Sequence, residues 1–272
     1  MKATFIGGGN MASAIIGGLV ARGTNASDLR VVEPSASQRD RLAARVAGIG
    51  AHPAMIAAAI DGADLVVLAV KPQQMRDAAH ALAPHVGAVP LVLTIAAGVR
   101  CDDLARWLGG YRRIVRAMPN TPALVGAGIT ALYAMPEACD VAGSAAQVLE
   151  ACGEILWFER ERDLDAVTAV SGSGPAYVFY FLEALEQAAI ELGLAPAEAR
   201  RLAYATFDGS VRLARESGDP PATLRANVTS KDGTTARAVA VLDAKNVGSH
   251  FIAAVKAAAA RAAELGDEHS ND

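Results

Sequence analysis

The sequence predicts two parts: an α/β half built on a parallel sheet, and an all-α half after it. Strand-like and helical runs alternate from Lys2 to Phe158, after which only helical patterns follow. The segment Asp64-Leu65-Val66-Val67-Leu68-Ala69-Val70 is apolar almost throughout, as a strand covered on both faces of a parallel sheet must be. The opening run Lys2-Ala3-Thr4-Phe5-Ile6 enters Gly7-Gly8-Gly9 and then a proline-free stretch to Ala21, which reads as strand, tight turn and helix.

That turn carries the first chemistry. Gly7, Gly9 and Ala12 fit the spacing G-x-G-x-x-G/A. The first glycine permits the turn, the second lets a pyrophosphate approach the backbone, and the small third residue lets helix pack on strand. A helix N-terminus adds free N–H groups and a partial positive charge. At the first strand of an alternating chain, this marks a Rossmann-type dinucleotide-binding domain.

Leu29-Arg30-Val31-Val32-Glu33 is the second strand, and its end chooses the cofactor. Glu33 suits the ribose hydroxyls of NAD, whereas Ser35, Ser37, Arg39 and Arg41 suit the extra phosphate of NADP, unless the arginines only solvate a helix face. The balance leans to NADP. The apolar strand ends in Lys71-Pro72 at the carboxyl edge where such sheets bind ligands; Lys71 either faces the cofactor or snorkels at a strand end. Pro90 to Ile95 is a strand leading to Ala96-Ala97-Gly98, small enough for a nicotinamide ring to lie against. Arg113 to Met118 runs into Pro119-Asn120-Thr121-Pro122, a rigid turn that either presents Asn120 to the crevice or is merely a turn. Gly128 to Tyr133 and Glu154 to Phe158 complete a sheet of seven or eight strands. We place the domain boundary at residues 1–160 and 161–272.

In the second half, Tyr177 to Leu192 is apolar on nearly all sides and is expected to be buried all round. So few residues remain to cover it that a second copy is the natural supplier of the missing surface, making this a dimerisation domain. Further helices start at Pro196, after Pro220-Pro221 and near Gly248, the last ending about Leu265 before a frayed polar tail, Gly266 to Asp272. Ser171-Gly172-Ser173-Gly174-Pro175 interrupts helical sequence, and Val228 to Thr235 is a polar loop leading into a helix from Ala236. Each is either a cap or a carboxylate site at a helix start.

Composition narrows the partners. The 272 residues are 52% hydrophobic with a formal net charge of −4, ample for a large core, and no basic cluster is long enough to follow a phosphate backbone, which argues against nucleic acid. No apolar run is long enough to span a bilayer and the first residues already form a strand, so a cytoplasmic location is expected, with no membrane partner. Cys101, Cys139 and Cys152 are odd in number and widely spaced, as are the histidines, so neither a disulfide nor a metal site is expected.

Taken in order, Gly7 to Ala12, Ala69-Val70-Lys71-Pro72, Ala96-Ala97-Gly98, Met118 to Pro122, Ser171 to Tyr177 and Val228 to Thr235 resemble pyrroline-5-carboxylate reductase along essentially the whole chain. The resemblance implies reduction of 1-pyrroline-5-carboxylate to L-proline, the last step of proline biosynthesis, with NADPH or, in some members, NADH. It also implies a homodimer, often in a ring of dimers. The cofactor would meet Ile6, Gly7, Gly8, Gly9, Asn10, Met11, Ser35, Ala69, Val70, Lys71, Pro72, Ile95, Ala96, Ala97, Asn120 and Asn227. The substrate would meet Ser173 and the main-chain N–H groups of Gly233, Thr234 and Thr235, with the Thr235 hydroxyl toward the ring nitrogen as the catalytic group.

The chain departs from the family at two places. Lys231 and Asp232 stand where Pro and Gly are usual, one attracting and one repelling a carboxylate. Ile56 stands near where a cofactor-touching asparagine is common, a lost hydrogen bond of about 1 kcal/mol. No histidine lies in any motif, which favours reduction of C=N over C=O: hydride addition to a protonated imine yields a neutral amine and needs no strong protein acid. The rivals are a β-hydroxyacid-type dehydrogenase and a non-enzymatic NADP(H)-binding sensor, and both polar loops of the helical half argue against each.

Overall fold

Residues 1–270 are described by a computed structural model, and Asn271 and Asp272 lie outside the described residues. β-branched and aromatic residues between turn-forming glycines give β1 (Ala3–Ile6), β2 (Leu29–Val32), β4 (Leu65–Leu68), β5 (Val92–Thr94), β6 (Ile114–Met118), β7 (Gly128–Ala134) and β8 (Gly153–Trp157). A further strand, β3 (Gly50–His52), is not foreshadowed in the sequence: Gly-Ala-His has no apolar alternation, and it pairs only because β2 offers it an edge. The order is β3-β2-β1-β4-β5-β6-β7-β8. All neighbours run parallel except β6 and β7, which are antiparallel.

Sheet order reverses direction at β1, which pairs with β2 on one side (Ile6 with Val32) and β4 on the other (Ile6 with Leu68). That makes the carboxyl ends of β1 and β4 the switch point where such sheets bind ligands. Alternation along β1 feeds two cores. Phe5 faces α1 (Asn10–Ala21) and α6 (Gly143–Leu149) with Ile15, Ile16 and Val148, while Ile6 faces α4 (Pro72–Leu82) and α5 (Cys101–Trp107) with Met75, Leu82 and Leu104. α2 (Ala36–Arg45) and the short α3 (Ala57–Ile60) complete the two layers.

The compact unit does not end at the last strand. It comprises Met1–Ser173 together with the chain from Ala258 onward. Arg116 on β6, 3% exposed, explains part of this extension: it pairs with Glu161 (3.0 Å) and with Asp165 on α7 (Asp163–Val167; 3.5 Å). Glu161 also accepts the N–H of Cys101 at the start of α5 (2.7 Å). Gly172 lies against the Met118 terminal methyl, which would have to move aside for any larger residue, so this segment packs closely on the end of β6. The run Thr168–Gly172 is a wide helical turn, with the Ser173 N–H reaching the Thr168 carbonyl (2.8 Å), so this stretch continues helical structure rather than interrupting it.

The second unit, Gly174–Ala257, contains α8 (Gly174–Glu191), α9 (Pro196–Ser217), α10 (Pro221–Asn227), α11 (Thr234–Ala244) and the first turns of α12 (Val247–Ser270). Pro175, Pro196 and Pro221 fall in first turns, where a missing N–H costs nothing. Tyr177 and Phe181 on α8 meet Phe251 on α12 edge to face, with ring centroids 5.6 and 5.7 Å apart. α8 is not buried all round: none of its residues is buried within the chain, and Phe179 and Tyr180 are 62% and 69% exposed. The apolar surface expected from the sequence is there, and among the described residues the Phe179 and Tyr180 side of it is left uncovered. α12 also corrects the expected end near Leu265. It stays helical to Ser270, and Asp267 pairs with Arg100 (2.6 Å) where the sequence suggests a frayed tail.

The buried arginine and the cysteines of this first unit can be tested directly. Arg116→Ala should lower the urea midpoint of unfolding by the equivalent of about 3 kcal/mol, because it leaves two partly buried carboxylates without their cation. Burial, reinforced by the neighbouring Glu161 carboxylate, pushes the Cys101 thiol well above its usual range, and burial raises Cys152 as well. Both stay protonated at mildly alkaline pH. Iodoacetamide on the native protein should therefore label exposed Cys139 first, as peptide mass mapping would read.

Candidate active site

The glycine turn is shaped by two neighbouring strands. Gly7 has φ +97°, and a Cβ there would sit 2.8 Å from the Ala69 carbonyl oxygen, so no other residue fits. Its N–H bonds to the Val32 carbonyl (2.8 Å), and the Ala69 N–H bonds to Ile6 (2.8 Å), which stitches the exits of β1, β2 and β4 together. Gly9 caps α1 with extended backbone, and the space its Cβ would fill is open. The first intrahelical bond runs from Ser13 N–H to Gly9 C=O (2.9 Å), so the N–H groups of Asn10, Met11 and Ala12 precede it and point out of the helix start. Open space in front of a glycine beside helix-start N–H donors suits a pyrophosphate, so these residues fit a dinucleotide.

Most of the expected cofactor residues share this edge. Ile6 to Met11 follow β1, Ala69 to Pro72 follow β4, Ile95 to Ala97 follow β5, and Asn120 follows β6, all from parallel neighbours. Lys71 caps α4 with Pro72 in its first turn, and its side chain is exposed. Asn120 is 9% exposed, and its side-chain Oδ1 accepts the Ile129 N–H (3.0 Å), so it pins the start of β7 and leaves its amide N–H groups for other partners. Asn227, Gly233, Thr234 and Thr235 belong to the other unit, and Ser173 is the last residue before it.

At the end of β2 the charged residues bond to backbone groups around the glycine turn and the start of α2. Glu33, 8% exposed, accepts the N–H of Gly8 (2.8 Å) with one oxygen and that of Ser35 (2.9 Å) with the other. Ser35 and Ser37 hydroxyls lie 3.1 Å apart. Arg39 donates from one guanidinium nitrogen to the carbonyls of Glu33 (2.7 Å) and Pro34 (2.8 Å). Arg41 instead lines a cavity of about 270 Å³ between α1 and α2, with Gly8, Asn10, Ser13, Gln38 and Arg45. Sequence reasoning misses Arg45, although its place one helical turn after Arg41 puts both on one face.

In the helical unit, the Ser230 carbonyl accepts the Gly233 N–H (3.1 Å), closing a turn whose central residues are Lys231 and Asp232. Asp232 has φ +61°, whereas Lys231 is not among the positive-φ residues. Positive φ at the third position alone is the type II pattern, which Pro followed by Gly favours; Lys and Asp adopt the same turn here. A side chain at Gly233 would strike the Ser230 hydroxyl. α11 begins at Thr234, two residues earlier than expected, and its first internal bond is donated by Arg237 to Gly233 (3.2 Å). The outward N–H groups are thus those of Thr234, Thr235 and Ala236, because that of Gly233 closes the turn.

Comparison with known proteins agrees with both halves. Residues 161–265 match a family described as pyrroline-5-carboxylate reductase dimerisation, and residues 2–98 match one described as NADP oxidoreductase, coenzyme F420-dependent. The pyrroline-5-carboxylate reductase of Pseudomonas aeruginosa is 43% identical, covering 98% of this chain and 97% of that protein. That of Escherichia coli is 40% identical over 93% and 94%. Among solved structures, a Coxiella burnetii pyrroline-5-carboxylate reductase superposes with TM-score 0.89 at 39% identity, covering 97% of this chain and 98% of that one. A Plasmodium falciparum pyrroline carboxylate reductase with NADP bound superposes with TM-score 0.86 at 28% identity, covering 98% of each chain. With such identity over nearly the whole length of both proteins, the chain belongs to the pyrroline-5-carboxylate reductase family.

Proposed function

We propose that the chain reduces 1-pyrroline-5-carboxylate to L-proline, the final step of proline biosynthesis, in the cytoplasm and as a homo-oligomer. The observation that carries this reading is the 43% identity to a named reductase over 98% of the chain, which spans both polar loops as well as the glycine turn. When bound, NADPH or NADH supplies the hydride. Gly7, Gly9 and the N–H groups of Asn10 and Met11 hold the pyrophosphate; Ile6, Gly8, Ser35, Ala69 to Pro72, Ile95 to Ala97, Asn120 and Asn227 complete the contacts we assign to the cofactor.

We assign the substrate carboxylate to the start of α11, whose N–H groups at Thr234 and Thr235 carry the partial positive charge of the helix. Gly233 serves as the small N-cap that lets an anion approach, and Ser173 is a further substrate contact. Proton bookkeeping explains why no acid stands out. The imine nitrogen is protonated before hydride arrives, so hydride addition at the carbon leaves a neutral secondary amine. Thr235, whose hydroxyl is far too weak an acid to donate its proton, accepts or shares a hydrogen bond with that nitrogen and so orients the ring. As its quaternary form we propose a dimer through α8, with a ring of such dimers as the larger assembly.

Loss of nicotinamide absorbance on adding 1-pyrroline-5-carboxylate tests the activity, and no turnover with either cofactor would overturn the reading. Thr235→Ala should lower kcat by about tenfold, near the worth of one hydrogen bond to a charged group, while the NADPH dissociation constant stays unchanged. Phe179→Glu should shift the chain toward monomer in size-exclusion chromatography with light scattering, because burying that ring is worth about 2 kcal/mol per copy. A wild-type chain that already runs as a monomer would contradict the dimer.

A further inference from the structure

At the carboxyl end of β2 one acidic side chain is held in place from two sides. The Gly8 N–H that Glu33 accepts belongs to the glycine turn, and the Ser35 N–H belongs to the cap of α2. The carboxylate cannot swing away without breaking one of these bonds. A carboxylate offers about four lone-pair sites and no proton. With two sites occupied, the others remain open to hydroxyl donors, whereas a phosphate oxygen brings no proton to share.

Arg39, the first cation after the strand, gives one guanidinium nitrogen to the Glu33 and Pro34 carbonyls, and Arg41 and Arg45 line the cavity between α1 and α2 that Gly8 also lines, so Glu33 is the charged group bonded directly to the glycine turn. In dinucleotide folds an acidic group at this strand end accepts the adenosine ribose hydroxyls, and one of those hydroxyls bears the extra phosphate of NADPH.

We propose that Glu33 is the specificity-determining residue for the cofactor: its fixed carboxylate receives the ribose hydroxyls of NADH and opposes the 2′-phosphate of NADPH, so that NADH binds this chain at least as tightly as NADPH. The proposal rests on the reading of Met1–Ser173 as the cofactor unit. NADPH remains a substrate, but without the advantage the extra phosphate confers where a neutral residue stands at this position.

The test is equilibrium binding by calorimetry to full-length wild type, Glu33→Gln and Glu33→Ser. The ligands are NADH, NADPH, and adenosine monophosphate with and without a 2′-phosphate. In wild type the NADH dissociation constant should be no larger than that of NADPH. In both variants the ratio should move by at least about tenfold toward the phosphorylated ligand. An unchanged ratio in both variants would overturn the proposal. So would equal weakening of both cofactors, which is what a mere clamp on the glycine turn would produce, or a wild type that already favours NADPH. Binding of the two monophosphates needs no reduction, so an enzyme inactive on pyrroline-5-carboxylate would still reveal the preference that Glu33 sets. If neither monophosphate bound wild type, the reading of the cofactor unit would fall and the proposal with it.

Discussion

The backbone at Gly7 runs so close to the Ala69 carbonyl that a single methyl group would not fit between them. This approach lets the Ala69 N–H reach Ile6 and the Gly7 N–H reach Val32, and so binds the ends of β1, β2 and β4 to one another. Because β1 is also where strand order reverses, the crevice at this edge and the start of α1 are set by the same contact. Cofactor chemistry in this unit therefore depends on a backbone constraint more than on any reactive side chain.

A second, quieter constraint lies on β6. An arginine buried in a sheet is stable only with its charge answered, and here the answer comes from Glu161 and Asp165, beyond the last strand. The chain after β8 is thereby drawn back onto the sheet before it leaves for the helical unit. Glu161 also binds the start of α5 through Cys101, so one carboxylate organises three elements and adds to the burial that keeps that thiol protonated.

What can be read from the residues alone divides along physical lines. The strand at Asp64 to Val70 and the glycine turn are legible because parallel-sheet burial and tight turns each demand a narrow set of residues. β3 is not, because Gly50, Ala51 and His52 form a strand only by pairing with β2. The apolar face of α8 is legible as apolar, but its exposure within one chain is not, since periodicity measures hydrophobicity and not what covers it. At the sheet edge, Asn10 and Met11 open α1 and Ala96 and Ala97 follow β5, positions that the strand-and-turn pattern makes legible. The roles of Arg39, Asn120 and the Gly233 N–H escape the sequence, because each is decided by a hydrogen bond to a backbone group distant from any sequence pattern. The start of α11 lies two residues from its expected place because a threonine pair suits a loop or a first helical turn equally.

The turn from Ser230 to Gly233 has one more implication. Its shape comes from a main-chain hydrogen bond and one left-handed residue, while the side chains of Lys231 and Asp232 project into water. A scaffold of that kind separates grip from tone: the amide cradle ahead of α11 survives exchange of the two tip residues, and only the local potential changes. Exchange at these two positions thus alters the charge beside the start of α11 while the main-chain turn that leads into it stays in place.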